Sequence, residues 1–290
     1  MRKNFDILGI GTVSVDDSIV VENYPAPDTK IRVQHLERQL GGLTAVALLA
    51  AARLGAKCSY AGVLGRDDLS KFAIKEMQKE KINLRHLQRR DNNPAVHSFI
   101  VVDSTNHTRN VFSHRAVPYK MPANWPPREV IESARALYVD HSDLKAMIRA
   151  TRIARKAGIP VIADLERNSG PEFMELIGMV DHLILPRKLA VQLSGETAPE
   201  RVMKKLWEAN ERTFLGVTFG KQGCFFIDSA NPGELKHQPI FDVEVVDTTG
   251  CGDVFHGAYA WALVKGYSPE DRIRYATGAA ALQATRLGAQ

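Results

Sequence analysis

The 290-residue sequence has little cysteine and no long hydrophobic run. Its three cysteines, Cys58, Cys224 and Cys251, form no CxxC pair, and an odd number fits a reducing compartment better than a disulfide-stapled domain. No apolar run approaches the roughly 20 residues that a membrane-spanning helix needs. The first residues also lack the apolar core of a secretion signal. We therefore expect a soluble, cytoplasmic protein with no membrane partner.

Clustered basic charge is missing as well. The chain has 38 Lys and Arg against 33 Asp and Glu, but no basic run is longer than a pair such as Arg89 and Arg90. Scattered charge is typical of a solvated surface. The sequence does not interleave basic and aromatic residues as nucleic-acid-binding proteins do. Its nine histidines show no metal-ligand spacing. We expect neither a nucleic-acid partner nor a metal held by side chains.

What the sequence does contain is a regular alternation of short apolar runs and amphipathic stretches. Residues 5–11 and 159–165 are typical of buried strands, and residues 143–158 are typical of an amphipathic helix. Strands and helices in turn predict an α/β fold, with a mostly parallel sheet covered by helices on both faces. In such sheets ligands bind at the carboxyl ends of the strands. The length suits one domain over residues 1–290.

Two stretches interrupt this alternation. Residues 17–38 predict two strands joined by a proline-rich turn, and residues 95–115 predict a hairpin with a Ser-Thr-Asn turn. We expect both stretches to belong to one small β-sheet. This sheet would act as a lid over a site at the edge of the main sheet.

The most informative stretch is VVDTTGCGDVFHGAYA, residues 245–260. Gly250, Cys251 and Gly252 are small, so backbone N–H groups can approach a ligand closely. They come just before an apolar helix, whose first turn carries unpaired N–H groups and partial positive charge. This predicts an anion hole for a phosphoryl group. Asp253 could accept a proton from a substrate hydroxyl, or it could simply cap its helix.

The whole string resembles the second signature of the PfkB, or ribokinase-like, carbohydrate kinases, D-T-x-G-x-G-D. Asp247, Thr248, Gly250, Gly252 and Asp253 match it. The resemblance implies a ribokinase-like fold, with ATP as phosphoryl donor and Mg²⁺ arriving with the nucleotide. It also implies that the aspartate ending the string is the catalytic base, and that the threonine lies on the ATP side.

The amino-terminal part of the chain resembles the sugar-binding side of this family. LGIGTVSVDD, residues 8–17, resembles the first strand with its substrate-binding aspartate, which we assign to Asp16. Gly41 and Gly42, followed by an Ala-rich helix, resemble the first signature. The family's usual asparagines after this glycine pair are Leu43 and Val46 here, which predicts a more apolar pocket. From the residues alone, an aspartate in a turn and a glycine turn before a core helix are the alternatives.

The nucleotide side departs from the common family pattern. The usual Asn-x-x-Glu is Arg-x-x-Ala here, beginning at Arg187, and ketohexokinases resemble this arrangement. Arg187 could neutralise ATP phosphates, or it could be a solvated surface residue. VTFGKQG, with Thr218, Gly220 and Gly223, resembles the turn that passes the nucleotide. The last predicted helix, residues 269–288, resembles the adenine side of the pocket.

Part of the first lid segment resembles the β-clasp of ketohexokinases. YPAPDTKIRV, residues 24–33, implies that Asp28 reaches the sugar site of a partner subunit, and so predicts a homodimer formed through the lid. An ordinary proline-rich turn is the alternative. Asp140, which ends the strand ALYVD, matches an acidic position near the phosphoryl site. Arg109 on the second lid hairpin is a candidate contact for an anionic group.

We therefore predict ATP-dependent phosphorylation of a hydroxymethyl group on a small, ketohexose-like sugar. A nucleoside kinase of the same fold is one alternative, and a catalytically silent sugar or nucleotide sensor is another. The intact GCGD string argues against a sensor, and the missing Asn-x-x-Glu argues for it. A nicotinamide-dependent dehydrogenase is disfavoured, because Ser14 stands where the Gly9-x-Gly11 pattern needs a third glycine.

Overall fold

The structure is a computed structural model that describes residues 3–106, 108–167 and 170–289. Its helices and strands follow the alternation of the sequence. The helices are α1 (Leu43–Arg53), α2 (Asp68–Lys79), α3 (Arg128–Glu132), α4 (Leu144–Lys156), α5 (Pro171–Met179), α6 (Arg187–Ser194), α7 (Pro199–Glu208), α8 (Cys251–Val264) and α9 (Pro269–Ala284). The strands are β1 (Phe5–Ile10), β2 (Ser14–Val21), β3 (His35–Gly41), β4 (Cys58–Tyr60), β5 (Val63–Leu64), β6 (Gln88–Arg89), β7 (Val96–Asp103), β8 (Thr108–His114), β9 (Ala134–Val139), β10 (Val161–Asp164), β11 (His182–Pro186), β12 (Phe214–Thr218), β13 (Cys224–Asp228) and β14 (Lys236–Gln238).

An eight-stranded sheet in the order β14-β13-β12-β11-β10-β9-β1-β4 forms the centre of the molecule. Six neighbouring strands, from β12 to β4, run parallel to one another. Strand β13 pairs antiparallel with both of its neighbours, β12 and β14. The predicted mostly parallel sheet is therefore confirmed. Across the described part of the chain, no helix combines the length and apolar character needed to span a membrane.

Side chains on the central strands alternate between two buried layers. On β9, Leu137 and Val139 join the core beneath α3, α4, α5, α6 and α7, while Ala136 and Tyr138 join the core beneath α1, α2, α8 and α9. A strand that is buried on both faces reads as a continuous apolar run, which explains the unbroken hydrophobic strands of the sequence. The prediction of helices on both faces is confirmed.

A separate four-stranded sheet, in the order β3-β2-β7-β8, forms the lid. Strands β2 and β7 are parallel, and the other two pairs are antiparallel. The sheet extends further than the segments expected from the sequence, because Ser14 to Asp16 already pair with Val96 to Ser98. These extra pairs bring Asp16 into the lid sheet itself.

The stretch 57–65, which alternation alone would make one strand, is divided. Strand β4 pairs with β1 in the main sheet, whereas β5 pairs with β6 in a two-stranded sheet. The chain turns at Gly62, where an added Cβ would lie 2.1 Å from the hydroxyl oxygen of Tyr60. That close approach is open only to glycine, and it separates the two strands.

Helices α1 and α8 approach each other closely at Gly257. A Cβ added there would lie 2.2 Å from the carbonyl oxygen of Ala47, an atom that cannot move without its helix. We expect Gly257→Ala to lower the free energy of unfolding by about 1–3 kcal/mol, although alanine favours a helix, because the overpacked backbones must separate. Urea unfolding measures this difference.

Gly233 provides the matched control. A Cβ added there meets nothing within 4 Å, so Gly233→Ala should leave the unfolding midpoint nearly unchanged. Equal effects of the two substitutions would contradict the packing that we describe between α1 and α8.

Candidate active site

Helix α8 begins with the geometry of an anion-binding turn. Its N-cap, Gly250, is left-handed at φ 73°, a conformation that suits glycine. An added Cβ would also lie 2.7 Å from the Cα of Ala289. Among the described residues, the backbone N–H groups of Gly250, Gly252 and Asp253 have no hydrogen-bond acceptor. These donors therefore remain available at the positive end of the helix.

The loop before α8 is tied to the end of the chain by Asp247. The carboxylate of Asp247 accepts hydrogen bonds from the N–H and hydroxyl of Thr249, at 2.9 and 2.8 Å, and from the N–H of Gly288 at 3.0 Å. Gln39, on lid strand β3, in turn accepts the N–H of Ala289 at 3.0 Å. The loop, the C-terminal segment and the lid are thus joined through hydrogen bonds.

The lid also reaches the loop directly. Arg109 on β8 donates from its guanidinium to the hydroxyl of Thr248. Both residues were predicted at the site from the sequence, one on the substrate side and one on the ATP side. The structure places them in contact at the boundary between those sides.

Asp253 lies in the first turn of α8, close to several other carboxylates. Burial, followed by the charges of Asp164, Glu166 and Asp16, raises the pKa of Asp253 well above its usual value. A carboxylate with increased proton affinity is better suited to take a proton from an alcohol than an ordinary exposed one. The arrangement therefore fits a general base.

Asp16 faces this base from the lid sheet. It is 7% exposed, accepts the hydroxyl of Ser14 at 2.8 Å, and is also hydrogen-bonded by Ser98. Burial raises its pKa as well. A Cβ at Gly41 would lie 1.9 Å from an Asp16 carboxylate oxygen, so the adjacent glycine leaves room for this carboxylate. Gly42 then turns the chain into α1 at φ 94°.

Asp140 orders the carboxyl end of β9. Its two oxygens accept the backbone N–H groups of Thr12 and Ser142 and, at 3.1 Å, the hydroxyl of Thr44. Its charge also contributes to the raised pKa values of Tyr138 and Glu166. Asp140 is thus part of the same electrostatic cluster, and its hydrogen bonds link the ends of β1 and β9 to α1.

The predicted nucleotide residues follow the neighbouring strands. Arg187 is exposed at the start of α6, after β11, with its guanidinium carbon 5.8 Å from the centre of the Phe219 ring. Thr218 ends β12, and Gly220 and Gly223 flank the next turn with φ values of 59° and 82°. Because β11 and β12 are parallel, these residues share the edge of the sheet that carries the base.

A cavity of about 600 Å³ lies between the segment leading to the signature loop and α9. Gly278 faces the Phe241 ring across this space, since an added Cβ would make ordinary contact with the ring at 3.6 Å. The volume suits a small ligand or cofactor. The cavity is lined by Phe241, Val243, Asp271, Arg274, Tyr275, Gly278, Ala281 and Leu282.

Asp28 is not brought to this site within the chain. It lies in the exposed turn between β2 and β3, with a positive φ of 60°. Val46 lies in the core and not in the predicted pocket wall. It is fully buried and packs with Val254 and Ala289. The substitution at Val46 therefore fills the core beneath α8, while Leu43 is half-buried at the start of α1.

Three residues at the site were not predicted from the sequence. Asp164 ends β10 and receives a hydrogen bond from the Tyr138 hydroxyl at 3.1 Å. Glu166 follows it, and burial raises the pKa of Glu166 too. His256 in α8 lies 3.3 Å from Asp164. A carboxylate at the end of a buried strand was the available signal, since ligands bind at such ends.

Metal binding by side chains alone is not supported. Within residues 3–106, 108–167 and 170–289, no group of three or more His, Cys, Asp or Glu could hold an ion. The residues present therefore do not form a Mg²⁺ cage. Mg²⁺ commonly binds proteins through substrate phosphates and water, so no step of the chemistry below depends on a protein-held ion.

A helix start with free N–H groups, Asp253 in its first turn and the lid sheet together fit a phosphotransferase. The chain belongs to the pfkB family of carbohydrate kinases, because the model of that family matches residues 4–290. It is 26% identical to a ribokinase of Haemophilus influenzae, over 100% of this chain and 95% of that protein. It is also 23% identical to a nucleoside kinase of Methanothermobacter thermautotrophicus, over 100% of this chain and 93% of that protein.

Solved structures show the same fold. A putative ribokinase from Agrobacterium tumefaciens superposes with a TM-score of 0.87 at 23% identity, over 98% of this chain and 92% of that one. Arabidopsis thaliana ribokinase, complexed with ribose and ATP, superposes with a TM-score of 0.84 at 23% identity, over 100% of this chain and 95% of that one. The ribokinase-like fold is therefore confirmed, and placement in the ketohexokinase-like branch stays a prediction.

The raised pKa of Asp253 predicts a specific pH dependence of stability. The folded protein binds this proton more tightly than the unfolded chain, whose carboxyl has the ordinary value of 3.8. The ionised group therefore destabilises the fold at neutral pH, and this effect disappears below about pH 4, where both states are protonated. We expect Asp253→Asn to raise the Tm at pH 7 by about 2–4 °C, with the gain shrinking as the pH falls.

Asp103 gives a control of opposite sign. Hydrogen bonds from Asn106 and Tyr24 hold the pKa of Asp103 at about 2. Asp103→Asn should therefore lower the Tm at pH 7, and the loss should fade as the pH falls from about 4 towards 2. Calorimetry of both variants over this range measures the two trends. If the two variants respond to pH in the same direction, the electrostatic description of Asp253 is wrong.

Proposed function

We propose that this protein transfers a phosphoryl group from ATP to a hydroxymethyl group of a small, ketohexose-like sugar. One observation carries the proposal. Asp253, with raised proton affinity, occupies the first turn of a helix whose unpaired N–H groups can receive a phosphoryl group. A proton acceptor and an anion site that share one turn can act on the two partners of a phosphoryl transfer.

The sugar would bind between the lid and the main sheet. Asp16, held by Ser14 and Ser98, would accept hydrogen bonds from sugar hydroxyls, and the Gly41–Gly42 turn would allow the sugar to approach the backbone. Asp140 would support this wall from the end of β9. The sugar hydroxyl would then point towards Asp253 for removal of its proton as the phosphoryl group arrives.

The transferring charge would be stabilised at the start of α8. The N–H groups of Gly250 and Gly252, unlike that of Cys251, which donates to the carbonyl of Thr248, are free and fixed before the reaction, and preorganised donors are effective in a site that excludes water. Arg109, already in contact with Thr248, would add positive charge from the lid. Closure of the lid would also limit hydrolysis of ATP by water.

The nucleotide would lie along the edge formed by β11, β12 and α9. The cavity beside Phe241 has the size of a nucleoside pocket and lies next to the segment that leads into the signature loop. Arg187 and the turn from Gly220 to Gly223 would contact phosphates or ribose, with Mg²⁺ bound by the phosphates. The Arabidopsis relative is complexed with ribose and ATP, which supports ATP as the nucleotide.

A nucleoside kinase is the second candidate. The similarity to the archaeal nucleoside kinase favours it. The lid offers Tyr24, 46% exposed, as an aromatic surface on which a base could stack. A silent sensor is the third candidate, and it rests on the missing Asn-x-x-Glu.

Turnover separates these candidates. We expect Asp253→Asn to reduce ATP-dependent phosphorylation by about 10³-fold or more, because the substrate hydroxyl loses its general base. ADP release should be measured with MgATP and a panel of ketoses, aldoses, sugar acids and nucleosides. A nucleoside that is turned over in preference to every sugar would replace the sugar assignment.

The control is ligand-induced stabilisation, since a ligand that binds the native state raises the melting temperature without any chemistry. Asp253→Asn should still be stabilised by ATP. If no compound in the panel is turned over by the wild type, while ATP or a sugar still raises its melting temperature, the sensor would be the correct function.

We also propose that the lid forms a homodimer, as its resemblance to a β-clasp implies. One face of the lid sheet exposes three large apolar side chains, Leu36 at 64%, Phe99 at 42% and Phe112 at 51%. Phe99 and Phe112 are direct cross-strand partners. The salt bridge between Arg38 and Asp17 borders them on the same face. An exposed apolar patch with a polar border is typical of a protein interface.

A single charge should disrupt this interface. We expect wild-type protein to be dimeric and Phe112→Glu to be monomeric by light scattering, because the carboxylate would be buried without a partner. If Asp28 completes the partner's sugar site, the monomer should also lose sugar turnover while keeping ATP-induced stabilisation. Met174→Glu, at an exposed apolar position on α5, is the control and should stay dimeric. A monomeric wild type would contradict the proposal.

A further inference from the structure

His256 occupies an unusual position beneath the proposed phosphoryl site. It is 4% exposed and lies one turn after Asp253 in α8. Its Nδ1 is 2.8 Å from the carbonyl oxygen of Gly252, and its Nε2 is 3.2 Å from the carbonyl oxygen of Ile184 on β11. Both ring nitrogens therefore point at backbone oxygens.

This geometry determines how many protons the ring carries. A carbonyl oxygen can only accept a hydrogen bond, so each nitrogen must have its own proton to bond to one. A neutral imidazole has a single N–H and would direct a lone pair at the other oxygen. Two satisfied hydrogen bonds require the imidazolium, which is positively charged.

A buried cation needs a counter-charge, and Asp164 supplies it. Its Oδ2 is 3.3 Å from Nδ1 of His256 and accepts the Tyr138 hydroxyl at 3.1 Å. The Tyr138 ring meets the His256 ring edge-on, at 6.5 Å between centres. The imidazolium thus has a carboxylate on one side and a neutral ring on another, which is how a buried charge is compensated.

The charges beside Asp253 are otherwise negative. The groups that act on it most strongly are Asp164 on β10, Glu166 after that strand and Asp16 on the lid. Tyr138 on β9 is neutral, and its pKa is raised further by Asp164 and Asp253. Without a cation, an ionised Asp253 would face carboxylates from three directions.

We propose that His256 is a positioning residue that keeps protons on both ring nitrogens and so holds Asp164 and the Gly252 carbonyl in place. Its charge offsets Asp164, and Asp253 can then be ionised as a base near neutral pH. The first part depends only on the geometry around His256. The second part rests on the proposed phosphoryl transfer.

His182 offers an internal comparison. It is equally buried, and burial lowers its pKa to about 3, so it is neutral. Its Nδ1 lies 2.9 Å from the hydroxyl of Tyr259, which can donate or accept and therefore suits a neutral ring. No salt bridge joins it to a carboxylate within the described residues. The two buried histidines should therefore differ by one proton.

The first test uses nuclear magnetic resonance on wild-type protein with ¹⁵N-labelled histidine. Near pH 7.5, both ring nitrogens of His256 should carry a proton, and one nitrogen of His182 should carry none. Signals are assigned by their loss in His256→Gln and in His182→Gln. A single protonated nitrogen on His256 would overturn the proposal whatever the substrate proves to be.

The second test uses the pH dependence of turnover with the best substrate of the panel. His256→Gln leaves the charge of Asp164 without a counter-charge. The acid limb of the pH–turnover profile should therefore shift to higher pH by about one unit, which is equivalent to about tenfold lower turnover on that limb. Adding Asp164→Asn should move it back towards the wild-type position. Equal loss of turnover at every pH, with no recovery in the double variant, would mean that His256 only supports the fold.

Failure of the two proposals can be told apart. Doubly protonated His256 in a protein that phosphorylates nothing would leave the assignment of His256 intact and refute the kinase proposal. Phosphorylation of a substrate by a protein whose His256 carries a single proton would refute the assignment of His256 and leave the kinase proposal intact. Melting temperatures identify a variant that fails to fold, and the wild-type spectra remain decisive in that case.

Discussion

The site depends on one constraint, the concentration of negative charge at the carboxyl edge of a buried sheet. Asp164 and Glu166 come from β10 and the turn after it, and Asp16 comes from the lid. Burial, and then the charges of these three groups, raise the pKa of Asp253. That crowding opposes folding, yet it suits a group that must take a proton from an alcohol. The free N–H groups at the start of α8 provide the opposite charge on the side where a phosphoryl group would bind.

The topology explains how residues so distant in sequence meet. Parallel strands bring their carboxyl ends to one edge, so Asp140, Asp164 and Arg187 follow three adjacent strands. The lid adds a second wall, because β2 carries Asp16 and β8 carries Arg109 against the signature loop. A site assembled in this way needs both sheets, and neither sheet contains it alone.

Much of this arrangement could be predicted from the sequence. The apolar runs predicted the parallel sheet, and the string DTTGCGD predicted the start of α8 with Asp253 in its first turn. The role of Asp253 as a base stays a prediction. The pairing of His256 with Asp164 could not be predicted, because 92 positions separate them and no sequence pattern links the two. The split between β4 and β5 was missed for a similar reason, since it depends on the pairing of β5 with the distant strand β6. Periodicity reports which side of an element is buried, but not which polar partners it meets there.

The hydrogen bonds around Gly288 and Ala289 have a mechanical consequence. Asp247, in the loop before α8, and Gln39, in the lid, accept hydrogen bonds from two consecutive residues, Gly288 and Ala289. A hinge motion of β3 would therefore be transmitted to the loop before α8 through Gly288 and Ala289. These hydrogen bonds connect the lid to the loop before α8, so we expect a movement of the lid to change the shape of this loop as well.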